Sequence, residues 1–156
     1  LGCDPLNRDA VVRLLEIKNR DVNKGLILIS DNMTRLRPFM GELTKTQEQR
    51  LTKYWPGPVT WLVPAHPDVP VWLTGEHQTL AMRVTNHPVA AGLCTTCDMP
   101  LVSTSANIAG FAPTKTRLAT QLRLGLTVDY ILPGRVGDQS TPSQIRDLDT
   151  DTIIRA

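Results

Sequence analysis

Apolar residues along this chain follow two periods, one helical and one extended. Ala10, Val11, Leu14, Leu15 and Ile17 recur at spacings of three and four, which predicts a helix started by Asn7 or Asp9 and ending near Asn19. Its end delivers Lys18, Arg20 and Lys24 into a loop. After Gly25, Leu26-Ile27-Leu28-Ile29 is an unbroken apolar run of strand length, as in a strand buried on both faces, and Ser30-Asp31-Asn32 terminates it. Two short helices are expected over residues 33–40 and 46–54, the second preceded by Thr44 and Gln47 at capping-box spacing. Trp55-Pro56-Gly57-Pro58 reads as a rigid turn, and residues 59–63 as a strand.

A proline-containing connector over residues 64–75 leads to the strand Thr79-Leu80-Ala81-Met82-Arg83-Val84. Asn86 is expected to cap a helix that has Pro88 early and runs to about Cys97. Residues 101–103 read as a short strand, residues 105–113 as a loop of small residues, and Thr114 as the cap of a helix ending near Leu124. Further strands are expected at residues 130–132, 143–146 and 152–155. Alternating strands and helices predict an α/β fold, a twisted mixed sheet flanked by helices in a single domain.

Composition narrows the class. Apolar residues at 41% and charged residues at 21% exclude a disordered or collagen-like chain. No apolar run reaches the length of a membrane helix. A net charge of +2 is too small for indiscriminate nucleic-acid binding, so affinity for phosphate has to come from a local cluster. Three cysteines, Cys3, Cys94 and Cys97, do not make a disulfide framework and fit a reducing compartment, so the cytoplasm is expected.

Two segments stand out chemically. The first places Lys18, Arg20 and Lys24 within seven residues just ahead of a buried strand, where they could be held toward a pyrophosphate or triphosphate. A solvated helix C-terminus carries the same residues, because cations there complement the helix dipole. The second is Ser103-Thr104-Ser105-Ala106-Asn107, at the end of an apolar strand, where hydroxyls, an amide and free backbone N–H groups suit ligand binding in an α/β sheet. A ligand-free turn would have the same composition. Arg83 lies off the face used by Leu80, Met82 and Val84, either exposed or poised over a cleft, and Arg146 and Arg155 fall near late strands. Cys94-Thr95-Thr96-Cys97 has no second ligand pair and reads as structural thiols, and His87 reads as a helix-start histidine rather than a general base.

In order and spacing, Lys18-x-Arg20 with Lys24, Trp55-Pro56-Gly57-Pro58-Val59-Thr60, Arg83-Val84-Thr85-Asn86-His87-Pro88, Ser103-Thr104-Ser105-Ala106-Asn107 and Pro142-Ser143-Gln144-Ile145-Arg146-Asp147 resemble the YrdC/TsaC family in its short bacterial branch. The resemblance extends over practically the whole chain. It implies an L-threonylcarbamoyl-adenylate synthase, a nucleotidyltransferase that consumes L-threonine, bicarbonate and ATP with Mg²⁺ and releases pyrophosphate. Partner proteins would then transfer the carbamoyl group to tRNA beside the anticodon.

Carried over by position, Lys18, Arg20, Ser105 and Asn107 would be catalytic and would face the ATP phosphates, with Lys24 beside them. Thr79 and Arg155 would lie near the nucleotide, and Arg83, Ser103 and Ser143 would contact threonine or its carbamate. The metal ligands stay unnamed. The resemblance also implies that residues 1–156 form a YrdC-like domain lacking its N-terminal strand-helix-strand portion and the Pro-Thr-Glu segment of the threonine site, so that this stretch alone would be poorly active. Gly25 stands where many relatives have proline, which would widen the conformations open to the loop. The principal rival is a non-catalytic module of the same fold that binds tRNA or double-stranded RNA. A carbamoyl-transfer domain from a larger hydrogenase-maturation protein is a third reading, disfavoured by the absence of zinc-finger and acylphosphatase segments.

Overall fold

In the computed structural model, which describes residues 1–134, 136 and 143–155, Asn7 starts the first helix, α1 (Arg8–Lys18). Its side-chain oxygen accepts the Ala10 N–H, and Asn19 ends the helix in the left-handed conformation at φ 47°. Val11, Leu14 and Leu15 enter the core, and Lys18 in the last turn is also buried. A 3-10 turn (Val22–Lys24) leads into β1 (Ile27–Ser30). The remaining elements are α2 (Lys45–Tyr54), β2 (Val59–Pro64), α3 (Val71–Thr74), β3 (Thr79–Val84), α4 (Pro88–Cys97), β4 (Leu101–Ser103), α5 (Arg117–Leu124), β5 (Gln144–Asp147) and β6 (Ile153–Arg155).

Six strands form one sheet in the order β4-β1-β3-β2-β5-β6. The β1–β3 and β2–β5 pairs are parallel and the other three are antiparallel, so the sheet is mixed as expected. Register sorts the side chains into two faces. Met82 stands opposite Leu28 and Trp61, Leu80 opposite Val63, and Leu28 opposite Val102, and all of these belong to the main core with α1, Leu36, Phe39 and Leu51. The opposite face carries Thr79, Ala81 and Arg83 on β3, with Ser103 and Ala81 on either side of Ile27.

Several expectations are corrected. The helix expected over residues 33–40 is only a 3-10 turn (Arg37–Phe39), with Pro38, which lacks an N–H, inside it. Helix α4 is capped not by Asn86 but by His87, whose Nδ1 accepts from Ala90 N–H at 3.4 Å, ahead of Pro88 at the first position. Thr116 rather than Thr114 caps α5, while the Thr114 hydroxyl bonds the Ala106 carbonyl at 3.1 Å. Residues 130–132 form no strand, and the 64–75 connector contains the short helix α3. The capping box at Thr44 and Gln47 is present as predicted.

Gly25 is not a loosening element. It sits at φ +61°, a conformation proline cannot adopt, and a Cβ there would meet the Thr74 carbonyl oxygen at 2.9 Å. Gly75 at φ +63° closes the same contact from the other side, its absent Cβ lying 2.3 Å from the Asn23 carbonyl oxygen. The cationic loop is therefore pinned against the end of α3.

Candidate active site

Helix α1 ends by aiming Lys18 at the loop that follows β4. The ammonium donates to the Ser105 carbonyl at 2.6 Å, the Asn107 carbonyl at 2.8 Å and Asn107 Oδ1 at 3.2 Å, and the Lys18 carbonyl accepts the Ala109 N–H at 2.8 Å. All three ammonium protons are used, so Lys18 organises the loop from beneath. The Ser105 hydroxyl donates to Asn107 Oδ1 at 2.5 Å, and Asn107 Nδ2 donates to the Phe111 carbonyl at 2.7 Å. Burial first, and then the neighbouring charge of Arg20, lowers the proton affinity of Lys18.

Two residues beyond Lys18, Arg20 donates through Nη2 to the Gly25 carbonyl at 2.9 Å. Its Nε is buried without a hydrogen-bond partner, and the same is true of Nε of Arg83. The proton affinities of both guanidiniums are lowered, first by burial and then by the charge of Arg155. Arg155 on β6 donates to the Ser143 carbonyl at 3.0 Å. The ion pairs among the described residues involve other side chains, and none includes Lys18, Arg20, Lys24, Arg83 or Arg155.

Positive groups that repel one another, with buried donors left open and none of them in an ion pair among the described residues, are surroundings that would favour an anion. The geometry brings Lys18 together with Ser105 and Asn107, while Arg20 and Arg83 are linked to Arg155 by the effect of its charge on both. Thr79 and Ser103 are half-buried on the same face of the sheet as Arg83, with no side-chain hydrogen bond to the other candidates. Lys24 is exposed and shares an outer groove with Arg20, Arg8 and Trp72. Arg146 belongs elsewhere: it lies 5.2 Å from the Tyr54 ring and pairs with Asp151 at 3.1 Å.

Thr60 closes the Trp55-Pro56-Gly57-Pro58-Val59-Thr60 segment but has no role assigned from sequence. It is fully buried in β2, and its hydroxyl lies 3.3 Å from that of Ser143. The signal was available as a lone hydroxyl between Val59 and Trp61 in an otherwise apolar strand. Cys94 is buried, with Sγ 3.6 Å from the Ile29 carbonyl, and His87 caps its helix, so these two have structural surroundings, whereas Cys97 is exposed. Among the described residues no three of His, Cys, Asp and Glu converge to hold a metal ion, and no helix is long and apolar enough to cross a membrane.

Fold and site together define an α/β protein whose mixed six-stranded sheet carries basic and hydroxyl side chains, Arg83 and Ser103 among them, on one face. The chain belongs to the Sua5/YciO/YrdC family, whose model, described as "Telomere recombination", matches residues 1–156. It is 49% identical over 155 residues to a threonylcarbamoyl-AMP synthase of Nitrosococcus oceani, covering 99% of this chain and 84% of that protein. A Cellvibrio japonicus protein of the same name is 46% identical over 155 residues, covering 99% and 82%. Among solved structures, P. abyssi Sua5 complexed with L-threonine superposes with a TM-score of 0.86 at 27% identity, covering 94% of this chain and 43% of that one.

Proposed function

We propose that this chain synthesises threonylcarbamoyl-AMP, the product in the name of its curated relatives, that Arg20 and Arg155 with the Ser105–Asn107 loop hold ATP, and that Arg83 lies on the threonine side of the same cleft. The observation that carries the reading is the pair of buried, unpartnered Nε donors on Arg20 and Arg83, neither of which joins an ion pair among the described residues. In the proposed reaction the amine of L-threonine combines with bicarbonate to give an N-carboxylate and water. An oxygen of that carboxylate attacks the α-phosphorus of ATP, the bond to the bridging oxygen breaks, and pyrophosphate leaves.

Both reactants are anionic, so the principal electrostatic obstacle is repulsion, and fixed guanidiniums lower it without reorganising at the moment of reaction. Arg20 and Arg155 would face the phosphates, with Lys24 at the outer rim and Thr79 near the nucleotide. Arg83, Ser103 and Ser143 would hold threonine or its carbamate. Lys18 would act by holding Ser105 and Asn107 in place, since its protons are already engaged. Catalysis would rest on positioning, with no covalent intermediate on the protein. Among the described residues the candidate side chains are cations and hydroxyls rather than metal ligands, so Mg²⁺ does not fit there as a protein-held ion. The product would pass to partner proteins that modify tRNA, which places the chain in the cytoplasm.

The test is to incubate the full-length chain with ATP, labelled bicarbonate and threonine and to measure acyl-adenylate and pyrophosphate. Arg20→Ala and Asn107→Ala should each lower the rate by about tenfold or more. Wild-type rates in both variants would remove the site assignment. An RNA-binding module would instead show salt-sensitive RNA affinity and no preference for ATP.

A further inference from the structure

We infer that Thr60 is a positioning residue that fixes the Ser143 hydroxyl in the orientation the threonine side of the cleft requires. The inference rests on the reading of Ser143 as a threonine or carbamate contact. Thr60 lies on β2, which is hydrogen-bonded to β3 on one side and β5 on the other, and pairs in register with Ile145. Ser143 is two residues before Ile145 along the same chain direction and therefore belongs to the same face. Thr60 is 0% exposed, so its side chain is out of reach of a ligand in the cleft.

A buried hydroxyl needs a partner, and among the described residues the only side-chain partner of Thr60 is Ser143 Oγ at 3.3 Å. Ser143 is held at a second point, where its carbonyl accepts from Arg155 Nη2 at 3.0 Å. An isolated serine hydroxyl samples three staggered positions, and one buried partner selects among them. With Thr60 as donor, Ser143 keeps its single O–H proton for an anionic oxygen in the cleft. Ser143 thereby joins the threonine side, through Thr60, to the nucleotide side, through Arg155.

Threonine and valine have nearly the same shape, so Thr60→Val removes the hydroxyl and little else. In steady-state synthesis by the full-length chain, Thr60→Val should raise KM for threonine by roughly fivefold, the factor that one ordinary hydrogen bond controls, with KM for ATP unchanged. Thr60→Ser should restore the wild-type value, and Thr60→Val should add nothing in a Ser143→Ala background. Wild-type kinetics in Thr60→Val alongside an impaired Ser143→Ala would overturn the inference and leave the site reading standing. The inference also fails if Thr60→Val acts equally with and without Ser143, or if KM for both substrates rises together with a loss of thermal stability. Wild-type kinetics in Ser143→Ala would remove the site reading and the inference with it.

Discussion

Lys18 and Arg83 are both buried or half-buried cations in one cleft, yet their substitutions should move stability in opposite directions. Lys18 satisfies two carbonyls and an amide oxygen, so Lys18→Met would leave buried acceptors unmet, at about 1–3 kcal/mol for each one that water cannot reach. The free protein should melt at a lower temperature. Arg83 has an unpartnered Nε and is repelled by Arg155, so Arg83→Met replaces an unfavourably placed charge with an apolar side chain of similar length. Calorimetry should show the free Arg83→Met protein melting at or above the wild-type temperature, while titration with L-threonine shows weakened binding. A lowered melting temperature in Arg83→Met would mean that the guanidinium is already compensated in the empty cleft.

Positioning of the cationic loop depends on a contact between elements. Gly75→Ala would force a Cβ to within 2.3 Å of the Asn23 carbonyl oxygen and strain a φ of +63°, so the loop carrying Arg20 and Lys24 should separate from α3. The expected loss is about 1–3 kcal/mol in denaturant unfolding, accompanied by a weaker affinity for ATP. At the far end of the sheet, Arg50 on α2 donates to the Leu148 and Asp149 carbonyls at 2.6 and 2.5 Å, strapping down the turn between β5 and β6. Arg50→Met should increase amide exchange in Ile153–Arg155 and raise KM for ATP through Arg155, with the α1 amides unaffected. Much of this arrangement was legible in the sequence because it obeys local rules: the period of α1, the Thr44–Gln47 box, and the alternation that sets Arg83 off the core face. The corrected elements are those where a local rule had competitors. Pro38 shortened a segment that otherwise had helical content, and His87 won the cap from Asn86 through the placement of its ring. Neither the Gly25–Gly75 contact nor the Thr60–Ser143 pair could be read from spacing, because each joins residues far apart in the chain.

Considered as a whole, the molecule carries a net charge of only +2, yet Arg20 and Arg83 hold buried donors without a partner among the described residues. Anions that fill the cleft should therefore stabilise the fold in proportion to occupancy. Pyrophosphate should raise the melting temperature of the wild-type chain and do so much less in Arg20→Ala, and sodium chloride should diminish the gain by screening. An equal gain in the variant would place the bound anion elsewhere. The two open Nε donors also bear on the protein's fate in the cell. An enzyme that is easier to unravel when empty is exposed to proteases whenever its nucleotide runs short, so its abundance would fall with the energy supply even if its synthesis never changed.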